Sequence, residues 1–179
     1  MKKVLLTFFI LLFCTTPAFA APQTAHIIVA LCDNIYQGIV PVPHKIGNGD
    51  DPENNLYWGA MYGFKTYLRK SGNWILVEEI KNPEPNILRR AIFKHKTKDT
   101  WIIADAYQGS KIKQATIDFF NFTAGKNTAA VKSKDTMLNM GGSADLIGYI
   151  GHNGLMDFTL SGYPQKEGSA KDAMVLACL

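Results

Sequence analysis

IGYIGHNGLMDF, residues 147–158, is the stretch whose reading decides the fold. It opens as a continuous apolar run, with Ile147, Tyr149 and Ile150, and such runs mark strands covered on both faces of a sheet. The run ends in Gly151-His152 and passes into Asn153-Gly154, a dipeptide that favours a tight turn, with Leu155 to Leu160 as the return. AMVLACL, residues 173–179, is a second run of the same kind, and it ends on Cys178. Each strand therefore carries a reactive side chain at its carboxyl end, and the connection between them is short.

Working outward, HIIVALC (26–32) reads as a first buried strand, closed by Asp33-Asn34. Residues 33–51 are irregular, with Pro41, Pro43 and Gly47-Asn48-Gly49-Asp50, and a loop this long after a buried strand is more often functional than idle. Asp51 can cap a helix that has Pro52 at its first position, with Leu56, Ala60, Phe64, Tyr67 and Leu68 at helical spacing and Gly72 as its stop. Residues 73–80 then read as a second strand, and strand–helix–strand implies a right-handed crossover to a parallel neighbour. Residues 91–96 and 100–106 flank Thr97-Lys98-Asp99 as an inserted β-hairpin. Ile112, Ala115, Phe119 and Phe122 space a helix over 110–122, residues 126–143 read as a polar, Gly-rich surface loop, and 144–150 and 173–178 supply two more parallel strands. The expected fold is an α/β domain with a mostly parallel sheet, helices on both faces and an inserted hairpin. In such sheets, sites form outside the carboxyl ends of the strands, where Cys32, His152 and Cys178 all fall.

Residues 1–20 read as a secretory leader: Lys2 and Lys3 precede an apolar segment too short to span a bilayer, and Ala18-Phe19-Ala20 fits a small-x-small cleavage site. The expected product is a periplasmic or extracellular chain of one domain over 21–179, with no membrane attachment once the leader is removed. Of the 19 basic residues, two lie in the leader, so the remainder carries a net charge of +2 against its 15 acids. With the lysines scattered, that argues against a nucleic-acid partner. No usual zinc-ligand spacing is present, and no cofactor is expected.

A thiol titrates near pH 8.5 and needs a base or positive charge beside it to attack as thiolate; an imidazole supplies both. Neighbouring parallel strands lie about 4.8 Å apart, so side chains at the ends of two such strands can meet. An apolar strand ending in Gly151-His152-Asn153-Gly154, followed by one ending in Ala177-Cys178, resembles the caspase, legumain and gingipain group of cysteine peptidases, and the element order from His26 onward is similar too. The resemblance implies a caspase-like fold, Cys178 as nucleophile, His152 as general base and acid, the backbone amides of Gly154 and Cys178 as oxyanion donors, and a peptide or protein substrate. Asp33 and Asp105, each just beyond an apolar strand, are the candidates to orient His152 or to meet a basic substrate side chain. The sequence departs from the group in Asn153, which separates His from Gly, and in ending at Leu179 where the group continues. The second departure implies a C-terminally truncated and inactive member.

Three other readings stand beside this one. Cys178 can be a buried core residue or, with Cys32, half of a disulfide, although two strand spacings of roughly 9–10 Å exceed what a bridge spans. The domain can be a non-catalytic periplasmic binding module of the same fold. A site can also lie in the early loop, where Asp33, His44 and Asp50 would converge.

Overall fold

The computed structural model describes residues 21–169 and 171–177 and the backbone of Cys178; the leader expected over residues 1–20 lies outside the described residues. β1 (Gln23–Ala30) runs through the middle of a six-stranded mixed sheet of order β2-β3-β4-β1-β7-β8, with β2 at Trp74–Glu84, β3 at Ile87–His95, β4 at Thr100–Tyr107, β7 at Leu146–His152 and β8 at Asp172–Cys178. β4, β1, β7 and β8 are mutually parallel, while β2 and β3 join by antiparallel pairing. A separate antiparallel pair is formed by β5 (Thr128–Ser133) and β6 (Thr136–Gly141). The helices are α1 (Phe64–Lys70) and α2 (Ile112–Thr123), the latter led in by a 3-10 turn over Gly109–Lys111. No helix among the described residues is long and apolar enough to cross a membrane.

The apolar run of β1 is buried on both sides, as its pattern requires. Ile28 and Ala30 pack with Ile112, Ala115, Phe119 and Phe122 of α2 and with Ile147 and Tyr149 of β7. Ile27, Val29 and Leu31 pack instead with Trp58, Phe93 and Leu68 of α1. α2 therefore covers one face of the sheet through the four positions that its 3.6-residue period aligns.

Three sequence expectations are corrected. The strand at 74–84 does not lie beside β1: a short turn at Asn86 (φ +70°) sends it antiparallel along β3 to the far edge. The hairpin around Thr97-Lys98-Asp99 is not an insertion, because its second arm, β4, takes the seat parallel to β1 over eight residue pairs. The polar stretch 126–143 is no loop but the β5–β6 hairpin, turned at Lys134 (φ +51°), with Leu138 and Met140 buried while Met137 points outward.

The helix expected from Pro52 onward forms only at 64–70. Upstream, side chains compete for the backbone: Asp51 Oδ1 accepts from the amides of Glu53 and Asn54, and Asn55 turns inward. Asn55 is fully buried, accepts from the Cys32 (3.0 Å) and Tyr57 (3.1 Å) amides, and donates to the carbonyls of Cys32 (2.8 Å) and Asn48 (3.0 Å). It thus extends β1 by holding Cys32 as a neighbouring strand would. Replacing Asn55 with Ala removes its four hydrogen bonds from a fully buried position, which is expected to cost about 2–4 kcal/mol. Urea unfolding measures this, and a loss below about 0.5 kcal/mol would show that the clamp contributes nothing.

Candidate active site

β7 lies between β1 and β8, and its parallel register against β8 runs residue by residue from Leu146 opposite Asp172 to His152 opposite Cys178. The last residue pair of the two strands, at their carboxyl ends, is the His and the Cys. Gly151 precedes the histidine with φ +149°, and a Cβ there would stand 2.8 Å from the Ala30 carbonyl oxygen, so only glycine lets β7 close against the end of β1 at this point.

His152 is buried, and its Nε2 lies 2.9 Å from Asp157 Oδ2. An ionised carboxylate only accepts, so Nε2 carries the proton and the lone pair of the neutral ring sits on Nδ1. Asp157 is held in turn by the Gly38 amide, 3.0 Å from the same oxygen. Gly38 permits that approach, since a Cβ there would run into the carboxylate. The Tyr149 hydroxyl donates to the His152 carbonyl at 2.8 Å, and burial pushes its own ionisation up to about 12, which keeps it a donor at neutral pH.

The return strand expected at 155–160 is absent. Gly154–Met156 forms a 3-10 turn in which the Asn153 side chain accepts from the Leu155 amide and the Gly154 carbonyl accepts from Asp157 (2.9 Å) and Phe158 (3.1 Å). This turn is what brings Asp157 back to the imidazole. It uses the carbonyl of Gly154 rather than the amide, and the amide is the group the sequence assigned to an oxyanion.

Neither carboxylate that the sequence offered for orienting His152 takes that part. Asp33 is buried in an Asx turn, its Oδ1 accepting from the amides of Ile35 (2.8 Å) and Tyr36 (3.2 Å). Asp105 is fully buried and so cannot meet a substrate; its Oδ1 accepts from Arg90 Nε and its Oδ2 from Arg90 Nη2, each at 2.7 Å, and His26 Nε2 lies 3.0 Å from Oδ2. Burial alone would raise the Asp105 pKa, but hydrogen bonds from Arg90 and His26 outweigh it and hold the carboxyl below its usual range. The early-loop trio does not converge: Asp33 is turned inward, His44 is exposed, and Asp50 accepts from Gln108. Among the described residues no three His, Cys, Asp or Glu side chains gather as a metal site.

Two constellations escaped the sequence reading. Asp157 sits in a stretch that looked like a strand, and only its spacing of five from His152 hinted at a local turn. Of the His26–Asp105–Arg90 network, His26 and Asp105 stand out as single charged-type residues within the apolar runs of β1 and β4, whereas Arg90 lies in β3 among Arg89, Lys94 and His95. Arg90 pairs directly with Asp105 in the β3–β4 register, and His26 Nδ1 accepts from the Gly141 amide of β6 at 2.9 Å.

Fold and site together define a mixed α/β chain with a carboxylate-oriented histidine in register with a cysteine. No family model, curated protein or solved structure matches it.

Proposed function

We propose that this chain is a caspase-like, secreted Cys-His peptidase, with Cys178 as nucleophile and His152 as base and acid. The observation that carries the proposal is the register of His152 against Cys178 at the carboxyl ends of adjacent parallel strands. The strand order supports it, with the His strand between the first strand and the Cys strand, and so do the two core clusters, which set α1 and α2 against opposite sides of β1.

In this mechanism His152 takes the thiol proton at Nδ1 while Asp157 steadies the ring through Nε2–H. The thiolate attacks the peptide carbonyl carbon, and the oxyanion meets the amides of Gly154 and Cys178. As the C–N bond breaks, the imidazolium returns its proton to the leaving amine. Water, deprotonated by the same imidazole, then hydrolyses the thioester and restores the thiol.

Iodoacetamide labelling across pH 5–9, read site by site by mass spectrometry, tests the pair. At pH 6 Cys178 is expected to react more than about tenfold faster than a thiol titrating near 8.5, and to lose that advantage in His152→Ala. An ordinary pH profile, unchanged by the substitution, would point instead to a non-catalytic binding module.

A further inference from the structure

Residues three and four apart on a helix are neighbours, so Tyr67, Lys70 and the capping Ser71 share one face of α1, while Lys65 and Leu68 turn the other way and are buried. The turn before the helix adds Met61 and Tyr62, and these five residues line a cavity of about 400 Å³. The backbone of that turn is held: the Gly63 amide donates to the Ala60 carbonyl (2.9 Å) and the Phe64 amide to the Tyr57 carbonyl (2.8 Å). A Cβ on Gly63 would run into the Trp58 backbone, so only glycine lets the chain double back here. On this fixed backbone the side chains face water, with Met61 65 %, Tyr62 82 % and Tyr67 63 % exposed. Helical spacing placed Tyr67 among the core positions; the structure puts its ring outside.

No acid lines the cavity. Of the three cations of α1, Lys65 is paired with Glu53 and Glu79, each at 2.8 Å, whereas Arg69 and Lys70 have no ion-pair partner among the described residues. The hydroxyls of Tyr62 and Tyr67 make no hydrogen bond there either. Large apolar groups exposed together mark a contact site, and an unpaired ammonium beside them calls for a negative partner. A tyrosine ring, apolar in its body and wet at its tip, suits a ligand of the same make-up. A pyranose has it, with a face of C–H groups and a rim of hydroxyls. A flat aromatic acid fits less well, because such ligands bury most of their surface and rings this exposed cannot enclose one.

We infer that this cavity binds a carboxylate-bearing saccharide, with Tyr62 and Tyr67 packing on the sugar faces and Lys70 pairing with the carboxylate. The inference goes beyond the Cys-His reading and does not depend on it.

The test titrates the isotope-labelled chain with digalacturonate, followed by amide chemical shifts, with the neutral digalactose of the same linkage and benzoate as comparisons. Digalacturonate is expected to shift the amides of residues 61–71 saturably at millimolar concentration. The neutral sugar should bind about two- to fivefold more weakly, the range of an exposed ion pair. Lys70→Gln should remove that difference and keep the neutral sugar's affinity, while Tyr67→Ala should weaken both sugars. Both side chains lie on the surface, and an unchanged urea midpoint checks that each variant is folded. No saturable shift at 61–71, equal binding of the two sugars, tighter binding of benzoate, or indifference to both substitutions would each overturn the inference.

Discussion

Arg90→Met is expected to cost about 3–5 kcal/mol of folding stability, because it strips a buried carboxylate of the cation that compensates it. In the native chain Arg90 grips both oxygens of Asp105 and reaches Glu84 at 2.7 Å, while His26 supplies a third hydrogen bond to Asp105. A carboxyl whose folded pKa lies below its unfolded value of about 3.9 contributes stability that is complete above that value. This contribution is lost as the pH falls further, through the depressed folded pKa. Removing the guanidinium lets burial dominate, so Asp105 shifts upward and the acid-induced loss begins at higher pH. Urea unfolding followed from pH 3 to 8 reads both effects. A variant within about 1 kcal/mol of the parent at pH 7, with the same acid limb, would show that Arg90 and Asp105 are not the coupled pair their geometry describes.

If the proposed Cys-His chemistry is right, His152→Ala is expected to lower kcat/KM on a peptide substrate by about 10²- to 10⁴-fold, the range that a positioned acid–base group supplies. Asp157→Asn should cost less. An amide can still accept from Nε2–H, and what it lacks is the charge that stabilises the imidazolium formed during attack. The two variants also differ in pH dependence: His152→Ala removes the limb that reports the base, whereas Asp157→Asn moves it toward lower pH by destabilising the charged ring. Equal turnover in His152→Ala and the parent would exclude the imidazole from the chemistry.

How far these residues could be read from sequence follows from the kind of signal each carries. β1, β7 and β8 are apolar runs that few alternatives can accommodate, and α2 shows four buried positions at a single period. Those elements already place His152 and Cys178 at strand ends. The segment from Asp51 to Gly63 has Leu56 and Ala60 at helical spacing with Phe64 beyond, but the pattern says nothing of Asn55, whose side chain is taken up by the Cys32 backbone. β5 and β6 alternate only weakly, and their glycines and lysine look like loop until Leu138 and Met140 are seen to be covered. The position of β2 could not be inferred from order alone, because the choice between a parallel crossover and an antiparallel meander is made by the turn at Asn86. Asp157 was hidden for a similar reason: a 3-10 turn, rather than a strand, fixes where it points.

β7 has a hydrogen-bonded neighbour on each side, whereas β8, among the described residues, has one. The two halves of the pair thus rest on supports of unequal strength, and free energies of local opening follow such differences. Parting β8 from β7 breaks a single ladder and leaves the packing of β1, β4 and α2 intact. The register of His152 against Cys178 is therefore expected to be lost under mild denaturant while the core still behaves as native.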